Sequence, residues 1–323
     1  MTEKIDSINN LLKLFKIGAK CIQHQKLRNV SSYDLVLDAG GQVKEIYKYS
    51  NELSLCLKSK SPVSIQTITE QGIIRIEVVE DYPNVSKLFD VLPQIDNKSI
   101  YLGEANDGSK IEFDMKENPH ILVAGTTGSG KSTLLHAFIA NIVKNKDELY
   151  IIDTKNVEFS DYKAFATIAT DYRSAVRMIS DLYETMERRY KNKFQSSMHS
   201  IYLVIDEFAD LILQDTNKQL GKLFILLLQK CRAANIFCIC ATQRPSYDIL
   251  KGSIKANFPA RISCKVASST DAKVIGIPGA ENLLRYNAII NNYKFAYKTF
   301  QVAYTNSDEI KSNYKTSLFN FFS

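Results

Sequence analysis

The chain has 323 residues, room for about two domains of ~150 residues each, and its 45% hydrophobic and 24% charged content excludes a largely disordered or fibrous protein. Its 41 Lys and Arg against 35 Asp and Glu leave a formal charge of +6, a mild excess that permits an anionic partner without proving one. The longest aliphatic or aromatic run, Leu223 to Leu228, is far short of the ~20 residues that cross a bilayer, and the opening MTEKIDS has no hydrophobic signal region, so the sequence reads as cytoplasmic with no membrane span.

In chain order, residues 4 to 28 suggest a helix, with Ile8, Leu11, Leu12, Leu14 and Phe15 followed by Ile17, Cys21 and Ile22. SSYDLVLDAGG follows as a short strand and a glycine break, and VKEIYKYSNELSLCLKS returns to helical spacing. VSIQTI and IIRIEVV alternate across the turn at Gln71 and Gly72, a hairpin signal. These elements predict a small α+β domain over residues 1–95. A hairpin-like stretch, SIYLGEANDGSKIEFDM, opens a second region over 96–310, with a tail over 311–323. From Pro119 the chain alternates strand and helix, which predicts an α/β fold with a mostly parallel sheet covered on both faces. The strands are HILVAG, LYIIDT, IYLVIDE, NIFCICATQ and ARISCKV, each continuous in apolar residues as buried parallel strands are. The helices run from Thr133 to Val143, Tyr172 to Tyr190 and Lys218 to Ala233.

The six cysteines read as a reduced, buried set: Cys238 and Cys240 share a strand face without metal-finger spacing, and Cys21, Cys56, Cys231 and Cys264 are scattered. The four histidines show no pairing, and His136 reads as a packing or surface residue.

The chemistry concentrates in a few strings. Gly125, Thr126, Thr127, Gly128, Ser129, Gly130, Lys131 and Ser132 match GxxxxGK[ST] at every required position, between a predicted strand and a helix that begins at Thr133. Such glycines let consecutive N–H groups close around phosphate oxygens, and the helix start adds a favourable dipole. Lys131 is expected to bridge the β- and γ-phosphates of ATP and Ser132 to hold Mg²⁺. IYLVIDE ends in two acids: Asp206 for the Mg²⁺ and Glu207 to deprotonate the attacking water. The next strand ends in Thr242 and Gln243, where an amide at the carboxyl edge can sense the γ-phosphate. Directly after it come Arg244, Lys251 and Lys255, a basic loop suited to a polyanion.

With PHILVAGTTGSGKS, YIIDTKNVEFS, TMERRYK, LVIDEFADL, QKCRAANIFCICATQRPSYDILKGSIKANFPARI, SSTDAK and GAENLL in this order, the chain resembles the FtsK/SpoIIIE DNA translocases, within the FtsK–HerA group of RecA-like P-loop NTPases. The resemblance implies a homo-hexameric ring that encloses double-stranded DNA and moves along it using ATP and Mg²⁺. It implies Arg232, within QKCRAAN, as a finger acting on the neighbouring subunit's nucleotide, and assigns Arg244 and Lys255, with Lys251 and Lys273, to DNA backbone. Two departures stand out: Ser269 occupies a position where the family commonly has a basic residue, leaving a second interface cation missing or displaced to Lys273, and LLRYNAII replaces a glycine-rich LLGxGDML turn. With no winged-helix module after Ser323 and no membrane helices, the expectation is a compact motor of a mobile element, working in segregation, conjugative transfer or packaging beside a recombinase, relaxase or membrane-anchored partner. Two alternatives stay open: a protein-export ATPase related to type VII secretion motors, and an ATP-gated DNA or relaxosome adaptor with slow turnover.

Overall fold

The computed structural model describes residues 2–26, 30–59, 63–68, 71–79, 86–192, 199–250 and 252–314. The chain divides into two units, Met1–Asn84 with two short later segments, and Val85–Ser323 without them.

The first unit opens with helix α1 (Thr2–Leu14) and strands β1 (Ala19–Lys26) and β2 (Val30–Leu37). The helix expected over residues 4 to 28 therefore ends at Leu14. Lys16 takes a left-handed φ of 54°, and the chain after it pairs antiparallel with β2, Cys21 opposite Leu35. Tertiary pairing decides the state of AKCIQHQK, which alternates well enough to serve either period. Helices α2 (Val43–Lys48) and α3 (Ser50–Cys56) and the hairpin of β3 (Ser64–Ile68) and β4 (Ile73–Val79) complete a sheet of order β1-β2-β4-β3. Ile8, Leu12, Ile46 and Leu53 of the helices bury against Cys21, Tyr33, Leu35, Ile65, Ile74 and Ile76, one face of that sheet. Asp34 and Arg75 lie on the other parity and join through two hydrogen bonds of 2.7 and 2.9 Å, a fork that is stronger than a single contact.

In the second unit helix α4 (Leu88–Val91) and the hairpin of β5 (Ser99–Ala105) and β6 (Lys110–Asp114) precede β7 (His120–Ala124) and helix α5 (Lys131–Lys144). Then come β8 (Glu148–Ile152), β9 (Thr167–Ala169), α6 (Tyr172–Lys191), β10 (Ile201–Ile205), α7 (Phe208–Gln214), α8 (Gln219–Lys230) and β11 (Ile236–Thr242). The unit closes with α9 (Gly252–Lys255), β12 (Ala260–Ser263), α10 (Ser269–Ile275), β13 (Asn287–Asn291), β14 (Lys298–Val302) and α11 (Ser307–Tyr314). All the later strands form one sheet of order β6-β5-β14-β13-β12-β7-β11-β10-β8-β9. From β12 to β9 every pairing is parallel, and from β12 to β6 every pairing is antiparallel. The strands ending in LVAG, IIDT, LVIDE and CATQ thus all finish at one edge. Strands β9, β13 and β14 were not expected from the sequence: β9 has only three residues, and NAIIN and KTFQV, though as long as the central strands, carry polar residues that interrupt the apolar run.

Side chains of alternate parity bury on the two faces. Ile121, Val123, Val204, Ile239 and Ala241 pack with Leu134, Leu135, Phe138 and Ile142 of α5. Leu122, Leu203, Ile205, Cys238 and Cys240 are equally buried, on the side where α7 lies against β11 and α8 against α6. Helix α6 starts at a capping box: the Ser174 N–H donates to the Asp171 carboxylate (2.9 Å) and the Asp171 N–H to the Ser174 hydroxyl.

The domain limits differ from those expected. Residues 86–95 belong to the second unit, because the Leu88 N–H donates to the Tyr304 carbonyl and Leu88 and Leu92 enter its core. The tail expected from residue 311 begins inside α11, whose Ile310 is fully buried. Among the described residues no helix is long and apolar enough to cross a membrane.

His136 lies inside α5, its Nδ1 2.7 Å from the Tyr162 hydroxyl, and burial lowers the imidazole from 6.5 to about 4. A group whose pKa is lower in the folded state contributes stability above its unfolded value and loses it as pH falls toward the folded one. We expect stability of this unit to drop by up to about 3 kcal/mol between pH 6.5 and 4 through this one group. His136→Gln should flatten that part of the pH profile in chemical denaturation; an identical slope in both proteins would show that His136 is not its source.

Candidate functional site

The loop from Gly125 to Gly130 joins β7 to α5 and is pinned on both sides. The Gly125 N–H donates to the Thr242 carbonyl (3.2 Å), and the Thr126 N–H and hydroxyl both reach the Lys265 carbonyl (2.8 and 3.1 Å). Gly130, the residue before α5, has a φ of 107°, and a Cβ there would stand 3.0 Å from the Tyr286 Cα; both conformation and space require glycine. The first-turn N–H groups of the 14-residue helix that starts at Lys131 open onto this loop. Ser132 and Thr133 are half-buried in that turn, while Thr127 and Gly128 are exposed at the tip.

LLRYNAII, the segment that departs from the glycine-rich pattern, backs the loop. Its Tyr286 takes a left-handed φ of 64°, and its N–H donates to the Ser129 carbonyl at 2.9 Å. A bulky residue rarely adopts that conformation. The backbone bond to the loop, the Val302 N–H donated to the Tyr286 carbonyl and the Arg285 guanidinium over the ring hold it there. Sequence reading noticed the departure and not the residue that compensates for it.

Beside the loop the carboxyl ends of β10 and β11 bring four predicted residues together. The Lys131 ammonium, 4% exposed, lies 2.6 Å from an Asp206 carboxylate oxygen and 2.9 Å from the Asp206 carbonyl. Glu207, equally buried, accepts from the Thr242 hydroxyl (2.7 Å) and the Gln243 N–H (3.0 Å). The Gln243 side-chain oxygen in turn accepts from the Thr127 hydroxyl at 3.0 Å. One strand end therefore touches the glycine loop and the second acid. Buried charges of this kind need partners, and each has one.

A third carboxylate and a lysine join them from β8. Asp153, next after that strand, accepts from the Glu158 and Phe159 N–H groups and fixes the following turn. Lys155 in that turn lies 3.8 Å from Glu207 and 3.7 Å from Asp210. Neither was singled out from the sequence, although both stand in the YIIDTKNVEFS string. The Ser132 hydroxyl and the Asp206 carboxylate are hard oxygen donors of the kind Mg²⁺ takes, and the first-turn N–H groups of α5 beside the loop are donors suited to phosphate oxygens. The residues present fit a nucleoside triphosphate with its Mg²⁺.

The basic residues do not form one cluster. Arg244 is exposed at the carboxyl edge, its N–H donated to the Thr242 hydroxyl (3.2 Å). Lys255 ends α9, five residues before β12, and so lies toward the opposite edge; it is half-buried, and desolvation, then the nearby Arg261 charge, lower its ammonium. Lys273 and Ser269 are exposed on α10. Lys251 lies outside the described residues. Arg232 sits in the 3₁₀ turn Cys231–Ala234 that precedes β11, exposed, with its Nε–H donated to the Lys116 carbonyl at 3.1 Å. The glycine loop is at the other end of that seven-residue strand, about 23 Å away at ~3.3 Å per residue.

The thiols differ from the expected scatter. His120, Cys231 and Cys238 are all buried and offer donor atoms within 4.8 Å of one another. Spacing along the chain hid this, since strand pairing sets Cys238 opposite His120.

Residues 95–199 match the model of the FtsK/SpoIIIE family. A curated relative, the DNA translocase FtsK of Borreliella burgdorferi, is 36% identical over 315 residues, covering 86% of this chain and 39% of its own length. The chain thus spans about two fifths of that relative. Among solved structures, the pCW3 conjugation coupling protein TcpA, a monomer form with ATPγS, matches with a TM-score of 0.69 at 20% identity, over 98% of this chain and 99% of that one. ATPases 2 and 3 of the type VII secretion protein EccC from Thermomonospora curvata match with a TM-score of 0.59 at 19% identity, over 71% and 45%. At that identity and coverage of the curated relative, and with the family model matched, the chain belongs to the FtsK/SpoIIIE family.

Proposed function

We propose that this chain is the motor of a ring-shaped, ATP-hydrolysing translocase of double-stranded DNA. The observation that carries the reading is the bonding of Glu207 to Thr242 and Gln243, the residues that lead directly into Arg244. The same short segment thus reaches the acid that activates water, the loop that cradles phosphates, and an exposed cation. In this reading Lys131 and the loop N–H groups bind the phosphates, with Thr126, Thr127, Ser129 and Thr133 around them, and Ser132 and Asp206 hold Mg²⁺, which neutralises phosphate charge. Glu207 accepts a proton from water as its oxygen bonds to the γ-phosphorus, the bond to the β–γ bridging oxygen breaks, and ADP leaves. While both Glu207 oxygens accept bonds from β11, that proton transfer is restrained. DNA phosphates drawing on Arg244 shift the strand end and release it. Lys255, Lys273 and Lys251 add backbone contacts that carry no base sequence.

Arg232 is too far from its own chain's loop to serve it, which supports a role on a neighbour's nucleotide, a contribution worth ~10³-fold or more in rate where such fingers act. The curated relative's name, a DNA translocase, supports movement along DNA as the activity.

ATPase rate with and without long duplex DNA, across ionic strength, tests the reading. Strong stimulation that fades as salt rises is expected, because each phosphate contact releases counterions, and Glu207→Gln should keep nucleotide binding while losing at least ~10²-fold in turnover. No stimulation at any salt concentration would favour the export motor; normal turnover by Glu207→Gln would remove it as the base. For Arg232→Ala, mixing with Lys131→Ala chains should restore activity, since each supplies what the other lacks. Absence of complementation in confirmed mixed assemblies would count against the role in trans.

A further inference from the structure

His120 begins the strand that leads into the glycine loop, and in the parallel ladder it stands directly opposite Cys238, so both side chains leave the sheet on the same face. Cys231, at the start of the 3₁₀ turn after α8, closes over them, its sulfur 3.6 Å from the His120 Nε2. All three are 3% exposed or less. Two donors bound at ~2.0–2.3 Å to one tetrahedral ion stand about 3.5 Å apart, and the histidine–sulfur pair already has that separation. The Leu228 carbonyl oxygen accepts a hydrogen bond from the same ring nitrogen at 3.0 Å; a metal bound there would displace that proton and leave the carbonyl or a water for the fourth position.

We propose that His120, Cys231 and Cys238 form a structural Zn²⁺ site. Two sulfurs and an imidazole are soft and borderline donors that select d¹⁰ ions over Mg²⁺ or Ca²⁺. Charge separates the two candidates: two thiolates and a neutral imidazole cancel Zn²⁺, whereas Cu⁺ leaves a net negative charge in a buried site, which is costly. The ion joins the turn after α8 to β7 and β11 and so fixes the residue next to Cys231, Arg232.

The test uses the full chain, reduced, stripped with a chelator, incubated with Zn²⁺ and desalted. About one zinc per chain should be retained and raise the melting temperature, and Co²⁺ in its place should give the sulfur-to-metal charge-transfer absorption of thiolate ligation. Cys231→Ala and Cys238→Val, each verified as folded by circular dichroism, should lower retention to less than roughly a tenth, while Cys240→Ala, one strand repeat away, should leave it unchanged. No retained zinc in the parent, or equal retention in both triad variants, overturns the proposal. So does a reduced protein that binds no metal but forms a Cys231–Cys238 disulfide on exposure to peroxide, a redox pair in place of a metal centre. These readouts do not depend on DNA or ATP and stand or fall apart from the translocase reading.

Discussion

The parallel register of β7, β11 and β10 is the constraint on which the rest depends. Cys240 pairs with Leu122 on one side and with Ile205 on the other, so the three strands run level and their next residues emerge together. That alignment puts the glycine loop, the Asp206–Glu207 pair and the Thr242–Gln243 end within hydrogen-bond reach of one another. The packing on each face holds it: Ile121, Val123, Ile239 and Ala241 face α5 while Leu122, Cys238 and Cys240 are buried on the other side, and a one-residue slip would exchange the two fitted sets. Burying a fully enclosed residue such as Phe138 against this sheet contributes ~2–3 kcal/mol, and several α5 residues do so at once, which ties the start of that helix to the loop.

The central sheet and the nucleotide edge were legible in the sequence for the same reason. Four strands, β7, β8, β10 and β11, are largely apolar runs followed at once by the glycine loop or by Asp153, Asp206 and Gln243, and GTTGSGKS admits few other conformations. What escaped was decided by long-range contact. AKCIQHQK becomes a strand because β2 offers it a partner, and residues 86–95 join the motor unit because the Tyr304 backbone and the core below α5 receive them. Tyr286 carries no propensity for a left-handed turn and is held there by Ser129. Lys155 and Asp153 act through a turn whose shape depends on β8 ending level with β10. The His120, Cys231 and Cys238 cluster is a fact of strand pairing, invisible to spacing rules.

The arrangement of cations qualifies what the family likeness implied. Arg244 stands at the carboxyl edge with the acids, while Lys255 is half-buried toward the other edge beside Arg261. In the proposed reading, contacts to a duplex are divided between Arg244, next to the nucleotide edge, and lysines that provide charge. Arg232 and Gln243 flank the two ends of β11, so the proposed finger and sensor would be joined by one strand, whose first half the proposed zinc ion would stiffen.

The central claim is that the end of β11 holds Glu207 back until the Arg244 loop is engaged. Thr242→Val keeps the volume and strand preference of residue 242 while removing the hydroxyl that binds Glu207 and receives the Arg244 N–H. The ratio of duplex-stimulated to basal ATPase rate in this variant is the most direct measurement. The account predicts a raised basal rate and a ratio that falls severalfold toward unity; a ratio equal to that of the parent protein would contradict it.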